Sequence, residues 1–492
     1  MDSMEPTPRV AIIGAGMSGL CMAAKLKAAG IETFTIYEQA DALGGTWRAN
    51  TYPGLTCDVP SRFYQFRFAP NPGWTHWFST GPEIARYFDD VADRLRIGDH
   101  VELASEVTSA RFEDPVWRVA LADGRELTVD FVISACGVLR VPRYPSIPGL
   151  ESFAGAAFHS ARWDHDVRLP GRRVGLIGTG STGAQIVGAL GGVAGELTLF
   201  QRTAQWMLPM VNPRYSRLTR ALHRRFPRLD RLAYDRWRRA FEFAAQGLTE
   251  AGWRRSSVQA LCRRHLQSVK DPELRRALTP DYEPMCKRLV VSSRFYPAIQ
   301  RDDVTLVTER IDHIEPAGIV TADGTVHELD VLVLATGFDA HAYVQPIELT
   351  GRDGVTLDGA WEGGPRAYMT VALPAFPNFF MLMGPHSPVG NYSLTEIADT
   401  QAEYITEWIG RWQAGRYATA APTQAATDRF NAALRTALPG TVWATGCNSW
   451  YLDQDGLPEL WAWAPHTHRE MLATPRLDDY QITTSAPEPT PA

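Results

Sequence analysis

Val10-Ala11-Ile12-Ile13-Gly14-Ala15-Gly16-Met17-Ser18-Gly19 decides the fold, because its arrangement returns at Val174-Gly175-Leu176-Ile177-Gly178-Thr179-Gly180-Ser181-Thr182-Gly183. In each copy a short apolar run reads as a buried strand, and a helical pattern follows the glycines, from about Ser18 to Ala29 in the first. A further strand is predicted at Thr33–Tyr37 after the first copy and at Leu197–Phe200 after the second. In such a unit the first glycine permits a tight turn, the second lets a pyrophosphate reach the backbone, and the third lets helix pack on strand. The helix N-terminus then offers free N–H groups and a partial positive charge to the phosphates. Two units predict an α/β chain with two Rossmann-like dinucleotide-binding domains.

The end of each second strand separates the two sites. Nineteen positions after Gly19 stands Glu38, and the same step from Gly183 reaches Arg202. A carboxylate there accepts hydrogen bonds from both hydroxyls of an unphosphorylated ribose, as FAD requires. An arginine there suits a 2′-phosphate, in a charge-assisted contact of roughly 1.5–3 kcal/mol. The chain is therefore expected to hold FAD first and NADPH second.

Three more segments extend the reading. Phe153-Ala154-Gly155-Ala156-Ala157-Phe158-His159-Ser160-Ala161-Arg162-Trp163-Asp164 fits F-x-G-x-x-x-H-x-x-x-W-[PD] at every fixed position. Upstream lie Gly44-Gly45-Thr46-Trp47, Tyr52-Pro53-Gly54 and Asp58; downstream lies Ala335-Thr336-Gly337-Phe338-Asp339. On these segments the chain resembles the type I Baeyer–Villiger monooxygenases, from about Arg9 to His468. The related N- and S-oxidising flavin monooxygenases share the glycine loops but typically close the first fingerprint with a phenyl or phenolic ring instead of Trp-Asp.

The resemblance implies a chemistry and a set of residues. Reduced flavin would take up dioxygen as a C4a-peroxide, which attacks a ketone carbonyl and inserts one oxygen atom to give an ester or lactone. The protein must then stabilise negative charge and exclude water. The family's active-site arginine matches Arg288 in Met285-Cys286-Lys287-Arg288-Leu289, and Asp58 is expected to hydrogen-bond it and fix its pose. Lys287, with Arg202 and Thr203, is expected around the 2′-phosphate. Gly45, Thr46 and Trp47 are expected against the flavin. Trp450 matches a tryptophan of a mobile segment that covers NADP. Phe153, Gly155, His159 and Trp163 are implied in coordinating the domains, with His159 outside the chemistry. Trp461-Ala462-Trp463-Ala464-Pro465 departs from the Trp-Pro of many members. An amine- or sulfide-oxidising flavin monooxygenase is the alternative activity, and a non-oxygenating redox flavoprotein the third.

Prolines 142, 145 and 148 mark a domain crossover. The expected division is an FAD-binding domain over 1–145, an NADPH-binding domain over 146–210, a helical insertion over 211–282, the rest of the NADPH domain over 283–374, a return to the FAD domain over 375–484, and a disordered tail over 485–492. Four arginine pairs in the insertion (224–225, 238–239, 254–255 and 263–264) read as solvated helix faces carrying ion pairs in preference to a peripheral membrane contact. Its aromatics Phe226, Trp237, Phe241, Phe243 and Trp253 are expected to pack helices together in preference to entering lipid.

Bulk properties narrow the classes. A net charge of −6 gives no general attraction to nucleic acid. No apolar run is long enough to span a bilayer, and the polar stretch Met1–Arg9 lacks a signal-peptide layout. Six scattered cysteines without a C-x-x-C pair argue against a disulfide framework, a metal site and a dithiol centre, and so for a reducing cytoplasm. The expected partners are a small ketone and dioxygen.

Overall fold

The computed structural model describes residues 6–388, 390, 392–447, 452–453 and 455–484. The expectations for Trp450 and for 485–492 lie outside these residues.

Two five-stranded parallel sheets organise the chain. The first runs Phe379–Met381, Phe131–Ser134, Val10–Ile13, Phe34–Tyr37, Val101–Glu102. The second runs Val304–Val307, Glu196–Phe200, Arg173–Ile177, Val331–Leu334, Ala156–His159. Strands covered on both faces read as continuous apolar runs, and Val10–Ile13, Phe131–Ser134 and Val331–Leu334 are buried throughout. Each sheet places its glycine turn at the end of its third strand.

The glycine turns are built as the spacing predicts. Gly14 has φ +104°, and a Cβ on Gly19 would stand 2.0 Å from the Gly14 carbonyl oxygen. Gly178 and Gly183 repeat both features, at φ +118° and 2.0 Å. Any side chain at Gly19 or Gly183 would push the helix off its strand. The helices that follow, Met17–Ala28 and Ser181–Leu190, begin one residue after the middle glycine.

Antiparallel strands hang on both domains: Val107–Glu113, Val116–Leu121 and Glu126–Val129 on the first, and Ile311–Glu315, Gly318–Thr321 and Val326–Glu328 on the second. Each group leads into a central parallel strand, Phe131–Ser134 or Val331–Leu334. Between the halves of the second domain lie the helices Arg217–Arg225, Arg228–Thr249, Trp253–Leu266 and Pro272–Ala277. A long helix, Leu394–Gln413, packs on Met17–Ala28 and closes the first domain. Among the described residues no helix is long and apolar enough to cross a membrane.

One expectation is corrected. Cys286 and Cys447 form a disulfide across 161 residues, with their Cα atoms 6.1 Å apart. No short spacing announces this pair, because the fold alone brings the two segments together. Met285, Val442, Trp443 and Leu460 make the apolar cluster around the junction. Cys21, Cys57, Cys136 and Cys262 are free thiols.

Candidate active site

The first glycine turn and Glu38 form one unit. The Ala15 N–H donates to Glu38 Oε2 at 2.7 Å, and the Ala40 N–H donates to Oε1 at 2.9 Å. These bonds set the carboxylate's direction and leave lone pairs for two ribose hydroxyls. Gly16 meets Gly45 of the Gly44-Gly45-Thr46-Trp47 segment, since a Cβ on Gly45 would lie 2.8 Å from the Gly16 Cα. Thr46 opens a short helix, Thr46–Ala49, and the Trp47 indole N–H donates to the Tyr64 hydroxyl at 2.9 Å. Burial pushes the Tyr64 phenol far up, so it stays protonated and holds the tryptophan ring in place.

At the second turn, a Cβ on Gly180 would meet nothing within 4 Å, which leaves the backbone approachable. Thr179 Oγ1 donates to the Thr203 carbonyl at 2.7 Å and ties the turn to the next strand's end. Arg202 is exposed beside it. Lys287 Nζ lies 4.5 Å from the centre of the Tyr282 ring. Burial lowers the Lys287 pKa; Asp281 opposes this and the charge of Arg202 adds to it. Arg202 and Lys287 thus feel each other as like charges, an arrangement that an anion between them would relieve.

Asp58 and Arg288 meet. Arg288 Nη2 donates to Asp58 Oδ2 at 2.8 Å, with both side chains partly accessible. The segment from Thr46 to Asp58 carries a link that sequence reasoning missed. The Tyr52 hydroxyl donates to Gln185 Oε1 at 2.9 Å, and Gln185 Nε2 donates to the Thr56 carbonyl at 2.8 Å. A Cβ on Gly54 would lie 2.6 Å from the Gln185 carbonyl oxygen. Gln185 belongs to the helix of the second glycine turn, and Gly44 and Gly45, just ahead of this segment, meet Ala15 and Gly16 of the first, so the run Gly44–Asp58 touches both units. Burial pushes the Tyr52 phenol up to about 12, which keeps it a donor. The signal in the sequence was Tyr52-Pro53-Gly54 itself, a turn with no visible reason to be one.

The twelve-residue fingerprint is an edge strand and its exit. Ala156–His159 pairs with Val331–Leu334, His159 standing opposite Leu334. His159 is fully buried. Its Nε2 donates to the Gly337 carbonyl at 3.0 Å, and its Nδ1 accepts from the Ala161 N–H at 3.1 Å. Those partners assign the tautomer, and burial lowers the imidazole pKa. Both ring nitrogens are committed to backbone groups. Gly155 leaves no room for a Cβ, which would stand 2.4 Å from the Asp330 carbonyl oxygen. Phe153 packs in a small apolar cluster, and the Trp163 ring meets Phe158 edge-on at 5.1 Å.

A cleft opens past the carboxyl ends of Phe131–Ser134 and Phe379–Met381, where open parallel sheets bind their ligands. Val138, His341, Met383, His386 and Glu459 line it. His341 Nδ1 lies 2.8 Å from Glu459 Oε2. Burial lowers the His386 pKa, with Glu459 and Asp453 opposing.

These features define a two-dinucleotide flavoprotein with a fixed arginine–aspartate pair. Residues 7–346 match the model of the flavin-binding monooxygenase-like family. The chain belongs to that family, and within it to the Baeyer–Villiger monooxygenases. It is 39% identical to a Baeyer–Villiger monooxygenase of Streptomyces coelicolor, over 97% of this chain and 93% of the relative. It is 58% identical to an uncharacterized monooxygenase of Mycobacterium tuberculosis, over 96% of both. Among solved structures it is similar to OTEMO in complex with FAD and NADP, with a TM-score of 0.86, 29% identity and coverage of 97% of this chain and 100% of that one.

Proposed function

We propose that this chain uses NADPH and dioxygen to insert one oxygen atom beside the carbonyl of a small ketone, giving an ester or lactone. The observation that carries the reading is the Arg288–Asp58 pair at 2.8 Å, joined through the Gly44–Asp58 run to both glycine units. FAD, reduced by NADPH, supplies the activation of dioxygen when bound. The residues suit both groups: Gly14, Gly16, Gly19 and Glu38 for the adenosine and pyrophosphate of FAD, Gly45, Thr46, Trp47 and Asp58 toward its ring. Gly178, Gly180, Ser181, Thr182 and Gly183 suit the pyrophosphate of NADPH, with Arg202, Thr203 and Lys287 at the 2′-phosphate.

Arg288 does the electrostatic work in this reading. It stays protonated and presents a planar fork of donors, so it can hold negative charge as it develops on the substrate's carbonyl oxygen. Asp58 takes one arm of that fork and aims the rest. Trp47, held by Tyr64, walls the site. His159 keeps its proton on Nε2 against Gly337 and moves none. The domain limits given above are part of the same reading. The cytoplasm, as the compartment, belongs to it too.

The experiment is a screen of cyclic, linear and aryl ketones for NADPH consumption, with products identified by mass spectrometry. Purified protein is expected to carry one FAD per chain and to yield esters or lactones. Amine or sulfide oxides as the only products, or protein that takes up no FAD, would overturn the reading.

A further inference from the structure

The helix Arg217–Arg225 is turned inside out. Its inner face is polar: His223 Nδ1 lies 2.8 Å from Arg62 Nη1 and 2.9 Å from Asp230 Oδ1, and Arg62 pairs with Asp230 in the interior. Its outer face is apolar. Leu218, Leu222 and the following Phe226, spaced four apart, are 69%, 42% and 50% exposed. Four-residue spacing puts them in one stripe. A helix at a protein surface ordinarily shows water the opposite face.

Arginines surround that stripe. Between Val211 and Leu232 the chain carries seven arginines and one acid, Asp230, which faces inward. Among the described residues Arg217, Arg224, Arg225, Arg228 and Arg231 join no ion pair, so the expected paired faces are not what the structure shows here. The pattern continues along Arg228–Thr249, where Leu232 (65% exposed) and Phe243 stand on the outer side with exposed Arg236 and Arg239. The acids Asp235 and Glu242 are drawn into pairs with Arg67, Arg238 and Arg469. At the far end exposed Trp253 meets Phe243, with Arg254 over both rings. Trp237 and Phe241 pack on the core, and Phe243 and Trp253 join two helices through their rings as expected while staying largely exposed; Phe226 is half exposed.

We propose that this outer face of the insertion docks on an anionic lipid bilayer, its leucines and aromatics entering the headgroup boundary and its arginines meeting lipid phosphates. Charge complementarity selects the occupant. A second copy of the chain would bring the same arginine cluster against itself. A nucleic acid would satisfy the arginines and leave the exposed leucines in water, while a bilayer takes both. The inference is independent of the proposed oxygenation chemistry.

Flotation of the FAD-loaded enzyme with vesicles tests it. One set is phosphatidylcholine alone; the other contains roughly one part phosphatidylglycerol to three of phosphatidylcholine. Binding is expected to the second set only, and to weaken with salt. Arg224→Glu with Arg225→Glu is expected to lose at least roughly fivefold affinity per arginine. Leu218→Ser with Leu222→Ser is expected to release the enzyme from vesicles, with NADPH oxidation on a water-soluble ketone unchanged in both variants. Equal binding to the two vesicle sets, no binding, or binding that survives either double substitution overturns the proposal. A two-chain mass that falls to one chain in Leu218→Ser with Leu222→Ser, without vesicle binding, assigns the face to a second copy and overturns it too.

Discussion

Asp58 Oδ2 accepts from Arg288 Nη2 at 2.8 Å across 230 residues of chain. One partner ends the segment that follows the first glycine unit; the other precedes the short strand Val290–Val291, which pairs with Met207–Leu208. The bond therefore ties the segment behind the first glycine unit to a stretch far along the chain. An arm of the guanidinium spent on the carboxylate fixes the plane in which the remaining N–H groups lie.

On this reading Arg288→Ala keeps FAD and still consumes NADPH slowly, but ester formation falls below detection and hydrogen peroxide appears in its place. Arg288→Lys recovers little, because an ammonium offers one point of charge in place of a planar fork. Asp58→Ala keeps the charge and loses its aim, so the ratio of ester to NADPH falls less. Product and peroxide assays on the same samples decide the point. Normal ester yield from Arg288→Ala would remove the arginine from the mechanism.

Arg202→Ala is expected to raise the KM for NADPH roughly tenfold or more, the worth of one charge-assisted phosphate contact. NADH, lacking the phosphate, should change much less. Lys287→Ala should act in the same sense, and the double variant should lose less than the two single losses together, because each cation repels the other in the free enzyme. Steady-state kinetics with both nucleotides provides the measurement. Equal losses for NADPH and NADH would make Arg202 a support of the strand end.

The parts legible in the sequence were those built from neighbours along the chain. Strand, turn and helix at Val10–Ala28 and at Arg173–Leu190 follow from local periodicity and glycine spacing, and Glu38 and Arg202 from a fixed offset. Ala156–His159 and Phe379–Met381 passed unread as strands because each is a short edge strand, defined by the partner it pairs with. The Cys286–Cys447 bond and the Tyr52–Gln185 link depend wholly on tertiary approach, over 161 and 133 residues. The outward leucines of Arg217–Arg225 were hidden for a related reason. Periodicity marks an apolar face but does not say which way it points.

His159 is expected to act through position. Its Nε2 and Nδ1 are both bonded to backbone groups, so His159→Ala leaves the Gly337 carbonyl and the Ala161 N–H without partners, at a cost of roughly 1–3 kcal/mol each. FAD content should hold, the melting temperature should fall, and reduction by NADPH should slow as the two domains lose their register. The pH profile of turnover should keep its shape. Loss of a limb near neutral pH in His159→Gln would instead show that the imidazole carries a proton in the reaction.

His468 predicts how the fold fails in acid. It is fully buried against Thr370, whose Oγ1 lies 3.1 Å from His468 Nε2, and burial with the charge of Arg469 drives its pKa down to about 3. In the unfolded chain a histidine titrates near pH 6.5. Below that pH the unfolded state takes up a proton that the folded state refuses, so folding stability falls as pH drops from about 6.5 toward the folded value. The loss amounts to about 2 kcal/mol near pH 5 from this group alone. Denaturant unfolding measured across this range in the native protein and in His468→Gln, which does not titrate, isolates the contribution. The variant should start less stable near neutral pH and decline more gently, so that the two curves converge in acid. Parallel curves would mean that His468 is protonated in the folded chain and that the acid sensitivity arises elsewhere.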